Sequence, residues 1–133
     1  MKKYEFYNET FDCTLELIMF SYEKKGFCKK VIKQLDKRGQ DKSKITRAMQ
    51  SNKAFCSTMQ GGNIITIVFD TTSFKDSTDK ITTLQHECNH FREAVLEWMG
   101  EIIDRTDSEA CLRISDWAFK KCMSTKFFKS LLK

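Results

Sequence analysis

Both histidines of this chain sit four residues apart, in the run His86-Glu87-Cys88-Asn89-His90, and this spacing constrains the local fold more than any other feature. On an α-helix, residues i and i+4 lie one above the other, so the two imidazoles project from one face toward a single point. Converged in this way they can offer two neutral nitrogens to one Zn²⁺ ion. Glu87 lies one position round, where its carboxylate reaches a water on such an ion rather than the ion itself. The competing explanation is an accidental spacing on an ordinary surface helix. The neighbourhood of the motif has to discriminate between the two.

The chain of 133 residues is the length of one domain, taken here as 1–133, with room for one substantial core. Its 41% hydrophobic and 31% charged content is that of a soluble globular protein. No apolar run approaches the length of a membrane helix, and Met1-Lys2-Lys3-Tyr4-Glu5 does not open a signal segment, so the expected location is cytoplasmic. The six cysteines are irregularly spaced, with no C-x-x-C pair. They read as small buried hydrophobes, with metal ligation by Cys88 or Cys111 as the rival. The net charge of +5 owes most to lysines between residues 24 and 53 and at the C-terminus. Lys24, Lys25, Lys29, Lys30 and Lys33 mark a basic helix face. Without interleaved aromatics this is read as a solvated surface, and nucleic acid is not the expected partner.

Along the chain, residues 4–20 carry Phe11, Cys13, Leu15, Leu17 and Met19 at alternating positions, which predicts one or two strands. Phe27, Val31, Ile32 and Leu35 predict an amphipathic helix over 22–36. Residues 37–53 are polar and give no clear element. Segments 54–60 and 63–70 flank Gly61-Gly62, the signature of a tight hairpin whose second arm is rich in β-branched residues. A Thr/Ser/Asp loop offering N-caps leads into a long helix from about Asp79 to Ile103, and a second helix spans about Ser108 to Met123. Phe127, Phe128, Leu131 and Leu132 predict a short docked helix turn. The order is β-α-β-β-α-α, an α+β domain.

At 100° per residue, Leu84, Cys88, Phe91, Val95, Trp98 and Ile102 fall within roughly 80°, nearly opposite the histidines. This stripe is expected to pack on the sheet, which turns the histidine face outward. A catalytic zinc site needs three protein ligands and an open position. With no third histidine, the closing ligand is a carboxylate or a thiolate. Glu97 lies about 10 Å along the axis from His90, and Glu93 would place three ligands on one helix. Glu109, which opens the second helix, is the better candidate. Its alternatives are a solvent stripe with Arg113, Asp116 and Lys120, or a capping box Thr106-x-x-Glu109. Asp116 is a candidate to accept the free N–H of a ligand histidine, with Asp104 or Asp107 as alternatives. Arg113 is a candidate to stabilise charge on a substrate oxygen. The rest of the second helix is apolar around most of its girth, which predicts deep burial.

The run His86-Glu87-Cys88-Asn89-His90, followed by Ser108-Glu109-Ala110 and Asp116-Trp117, resembles the gluzincin-type zinc metallopeptidases. More narrowly, it resembles the small single-domain zincin-like proteins of bacteriophages and prophages, over roughly residues 79–123. The resemblance implies a minimal zincin-like α+β domain, in which a small antiparallel or mixed sheet packs on the long H-E-x-x-H helix and a following C-terminal helix. It implies His86, His90 and Glu109 as ligands of one Zn²⁺, Glu87 as catalytic base, and a peptide or protein substrate in the host cytoplasm. Arg113 stands where larger gluzincins often place an aspartate, and a tyrosine common in the small family is absent. The Asn63–Asp70 strand is expected to line the cleft and to accept a peptide as an added strand. The alternative is a non-catalytic phage-encoded protein of the same fold that binds a host protein or nucleic acid.

Overall fold

The strand at residues 13–20 is apolar on both faces, a pattern that requires a layer on each side of the sheet. In a computed structural model this is what is found. The structure describes residues 1–21, 25–36, 45, 54–58, 63–72, 74, 76–100 and 109–132. The elements are β1 (Lys2–Asn8), β2 (Cys13–Phe20), α1 (Lys25–Asp36), β3 (Ala54–Thr58), β4 (Ile64–Asp70), α2 (Ser77–Trp98), α3 (Glu109–Met123) and α4 (Lys126–Ser130). The strands form a mixed four-stranded sheet in the order β1-β2-β4-β3. The domain is α+β, and among the described residues no helix is long and apolar enough to cross a membrane.

The first segment is two strands: β1 and β2 pair antiparallel, from Lys2 opposite Met19 to Asn8 opposite Cys13. Their connection carries Asp12 at φ 47, with Tyr7 Oη donating to its carboxylate at 2.6 Å. β2 then pairs parallel with β4, Leu15 opposite Ile65 and Leu17 opposite Ile67, so the chain crosses over through α1 and β3. β3 returns antiparallel beside β4, with Ala54 opposite Phe69 and Thr58 opposite Ile65. The diglycine turn expected at Gly61-Gly62 lies outside the described residues.

Side-chain alternation divides the core. Cys13, Leu15, Leu17 and Met19 of β2 join Ile65, Ile67 and Phe69 of β4 under α2, α3 and α4. Ile18, Phe20 and Val68 face the other way, against Val31 and Leu35 of α1 and Ile45. On this second face Glu16 and Thr66 sit opposite one another and are fully buried, and Thr66 Oγ1 donates to Glu16 Oε1 at 3.0 Å. Burying each large apolar side chain contributes about 1.5–3 kcal/mol, so the helix face of β2 and β4 is the main store of stability. Phe27, Cys28 and Cys56 have side chains outside the description. Cys13, Cys88, Cys111 and Cys122 are buried.

α2 starts two residues earlier than the sequence predicts. The Asp76 carboxylate caps it by accepting from the Asp79 backbone N–H at 2.8 Å. It also stops earlier, at Trp98 rather than Ile103. Gly100 adopts φ +75 and its N–H returns to the Glu97 carbonyl at 3.0 Å, a left-handed terminator available to glycine without a side-chain penalty. Leu84, Cys88, Phe91 and Val95 pack on the core as the periodicity predicts. Trp98 does not: it is an exposed residue at the helix end, and Ile102 lies outside the described residues. α3 is less buried than its composition suggests. Cys111, Ile114, Ala118 and Cys122 form one buried stripe, whereas Leu112 is exposed and Trp117 and Phe119 are partly buried. α4 docks Phe128 beside Phe69 at 5.1 Å between ring centroids, with Leu132 left exposed.

Candidate metal centre

The motif lies in the middle of α2, and helical geometry sorts its three polar residues. With the core stripe as reference, the histidines lie on the far side while Glu87 lies on the stripe's flank, about 60° from Leu84. Accordingly His86 and His90 are exposed and Glu87 is only 5% exposed. The two imidazoles stand nearly perpendicular, with ring centroids 4.6 Å apart. Their Nε2 atoms face each other at 3.0 Å.

That separation suits a shared cation. Zinc–nitrogen bonds of about 2.0–2.1 Å in a tetrahedral arrangement set two ligand nitrogens about 3.3 Å apart. The metal-free pair therefore needs only a few tenths of an ångström of opening. Beside it, Glu87 Oε2 is a buried carboxylate oxygen without a hydrogen-bond partner among the described residues. Burial pushes the Glu87 carboxyl above its ordinary value, and the rings of His90 and then His86 oppose the rise. A buried carboxylate with an unused oxygen next to two converging imidazoles is a donor set that fits a divalent ion and a proton acceptor beside it.

His90 is held from its other nitrogen. Its Nδ1 lies 3.1 Å from Glu93 Oε2, both side chains being about half exposed. The carboxylate on this nitrogen comes from α2 itself, one turn further on, and not from Asp116. The spacing His90-x-x-Glu93 was the legible signal: i and i+3 share a helix face, which suits a hydrogen bond to a ring better than coordination of the same ion.

Two contacts join α2 to the helices that follow it. Phe91 stacks on Trp117 of α3 at 6.1 Å, and Lys80 lies over the ring of Phe127 of α4 at 5.8 Å. The structure brings His86, Glu87 and His90 together. Glu109 accepts from Arg113 at 3.3 Å, with side chains 83% and 75% exposed. Asp116 is likewise exposed. Thr106, Asp104 and Asp107 lie outside the described residues, so the capping box and the two alternative acids have no structural placement. Cys88 and Cys111 face the core, Cys88 on the side of α2 away from the histidines. Among the described residues no group of three or more histidines, cysteines or acids stands together as a closed metal cluster.

No family model matches this chain, and neither a curated protein nor a solved structure shows significant similarity to it.

Proposed function

We propose that this chain binds one zinc ion through His86 and His90 and hydrolyses a peptide bond or related amide, with Glu87 as the general base. The observation that carries this reading is the pair of Nε2 atoms facing each other at 3.0 Å beside the buried Glu87 carboxylate. A long motif helix lying on a mixed sheet, with a second helix packed against it, supports a zincin-like domain. When bound, zinc supplies Lewis acidity that activates water near neutral pH and polarises a carbonyl.

The protein groups divide the remaining work. Glu87 takes a proton from the attacking water and passes it to the leaving nitrogen. Its upward-shifted carboxyl is better matched to this task than an exposed glutamate. A carboxylate from α3 closes the ligand set, with Glu109 as the proposed ligand and Asp116 as its rival. The expected docking of substrate on β4 is corrected, because β4 is hydrogen-bonded on one side to β2 and on the other to β3. The edge strand packed beside α2 is β3, and an extended peptide pairs there if it pairs with the sheet.

The test is elemental analysis of purified protein together with a peptide-library assay. One equivalent of zinc is expected, lost in His86→Ala and His90→Ala. Glu87→Gln retains the zinc and loses about 10²–10⁴-fold in hydrolysis. A Glu87→Gln protein as active as the parent would overturn the assignment of the base. A parent protein that takes up no zinc would overturn the whole reading.

A further inference from the structure

We propose that Glu93 is the positioning residue of the histidine pair, holding His90 in the one tautomer whose Nε2 lone pair points at His86. The inference rests on reading the two imidazoles as ligands, and it concerns how the site is prepared before any ion arrives. An ionised carboxylate only accepts hydrogen bonds. At 3.1 Å from Glu93 Oε2, His90 Nδ1 is therefore the nitrogen that carries the proton, and Nε2 of the neutral ring is bare. The second imidazole has no equivalent: among the described residues nothing is hydrogen-bonded to Nδ1 of His86, whose one polar contact is Nε2 to Nε2 at 3.0 Å.

A definite protonation pattern follows for the metal-free protein. Two bare nitrogens at that distance would repel, so one must donate to the other. With His90 fixed by Glu93, the donor is Nε2–H of His86. The two rings then hold opposite tautomers, Nδ1–H in His90 and Nε2–H in His86. Ion binding leaves His90 as it is. It requires His86 to give up its Nε2 proton to water and take one at Nδ1, with no change in ring charge. His90 is the prepared ligand and His86 the one that adapts.

Nitrogen chemical shifts of metal-free protein, recorded as the pH is raised until they stop changing, read this directly. Opposite tautomers are expected in the parent. In Glu93→Ala, His90 loses its single-tautomer state and zinc affinity falls by roughly 10–100-fold. Glu93→Gln, whose amide oxygen still accepts from Nδ1–H without charge, lies between the two. Because Glu93 is half exposed, circular dichroism should show all three proteins folded alike. Finding His90 in the Nε2–H tautomer in the parent overturns the inference, as does a Glu93→Ala protein with unchanged tautomer and unchanged zinc affinity. A parent with opposite tautomers that binds no zinc upholds the positioning of His90 and overturns the hydrolase reading instead.

Discussion

Arg113 donates to Glu109 across 3.3 Å on an exposed face of α3, one turn apart, at the start of that helix. An exposed helical pair of this type contributes about 0.3–0.5 kcal/mol, so it does not lock Glu109 in place. The expected result is that Glu109→Ala weakens zinc binding by more than the roughly 10–100-fold typical of an outer partner, Asp116→Ala by an amount within that range, while Arg113→Ala changes it little. Competition titration with a chromophoric chelator measures all three. A large loss for Asp116→Ala with little change for Glu109→Ala would make Asp116 the ligand instead.

Thr66 and Glu16 form a buried hydroxyl–carboxylate contact between the two parallel central strands. Thr66→Val preserves shape and removes the donor. The expected cost is about 1–3 kcal/mol, read from the urea midpoint with an unchanged slope. Zinc affinity should be unaffected, since this contact lies on the α1 face of the sheet.

Gly100 ends α2 at φ +75, and a Cβ built there meets nothing within 4 Å. Crowding is therefore absent, and only the left-handed backbone opposes substitution. Gly100→Ala should destabilise by about 1 kcal/mol and Gly100→Asn by less, both measured by chemical denaturation.

The Cys13 thiol is pushed up from 9.0 to about 11, first by burial and then by the neighbouring Asp12 carboxylate. An acid whose folded pKa is raised holds its proton longer in the folded chain. As pH rises from about 9 toward 11 the unfolded chain deprotonates first, and folding stability falls through that window. Below it Cys13 contributes no pH dependence. Cys13→Ala should flatten the alkaline part of the stability curve, and native Cys13 should resist alkylation at pH 8 while the unfolded protein reacts.

How much was legible varied with the range of the interactions involved. The helix around His86 and His90 followed from their spacing, and the buried face of Leu84, Cys88, Phe91 and Val95 followed from a 3.6-residue period. The two arms expected around the diglycine, β3 and β4, do pair antiparallel. Boundaries were harder. Gly100 was available to stop α2, yet the apolar pattern continues through Ile102 and Ile103, and periodicity does not record that one left-handed residue ends a helix. The outward exposure of Leu112 and Trp98 was hidden for a related reason: apolar content does not say which side of a helix finds a partner. Glu93 was weighed as a ligand and proved to be a hydrogen-bond partner, because distance along the axis was visible while the direction of its carboxylate was not.

Sequence alone determined what depends on neighbours within a turn or two of chain: the convergence of His86 and His90, the buried stripe of their helix, and the alternation that marks residues 13–19 as strand. Only the tertiary structure decided what depends on how distant segments slide against each other. The parallel pairing that closes β4 on both sides came from the crossover through α1. The axial register of α3 on α2 is fixed by contacts such as Phe91 stacking on Trp117. Helical periodicity repeats every 3.6 residues and is blind to a shift along the axis, so that register is set by packing alone.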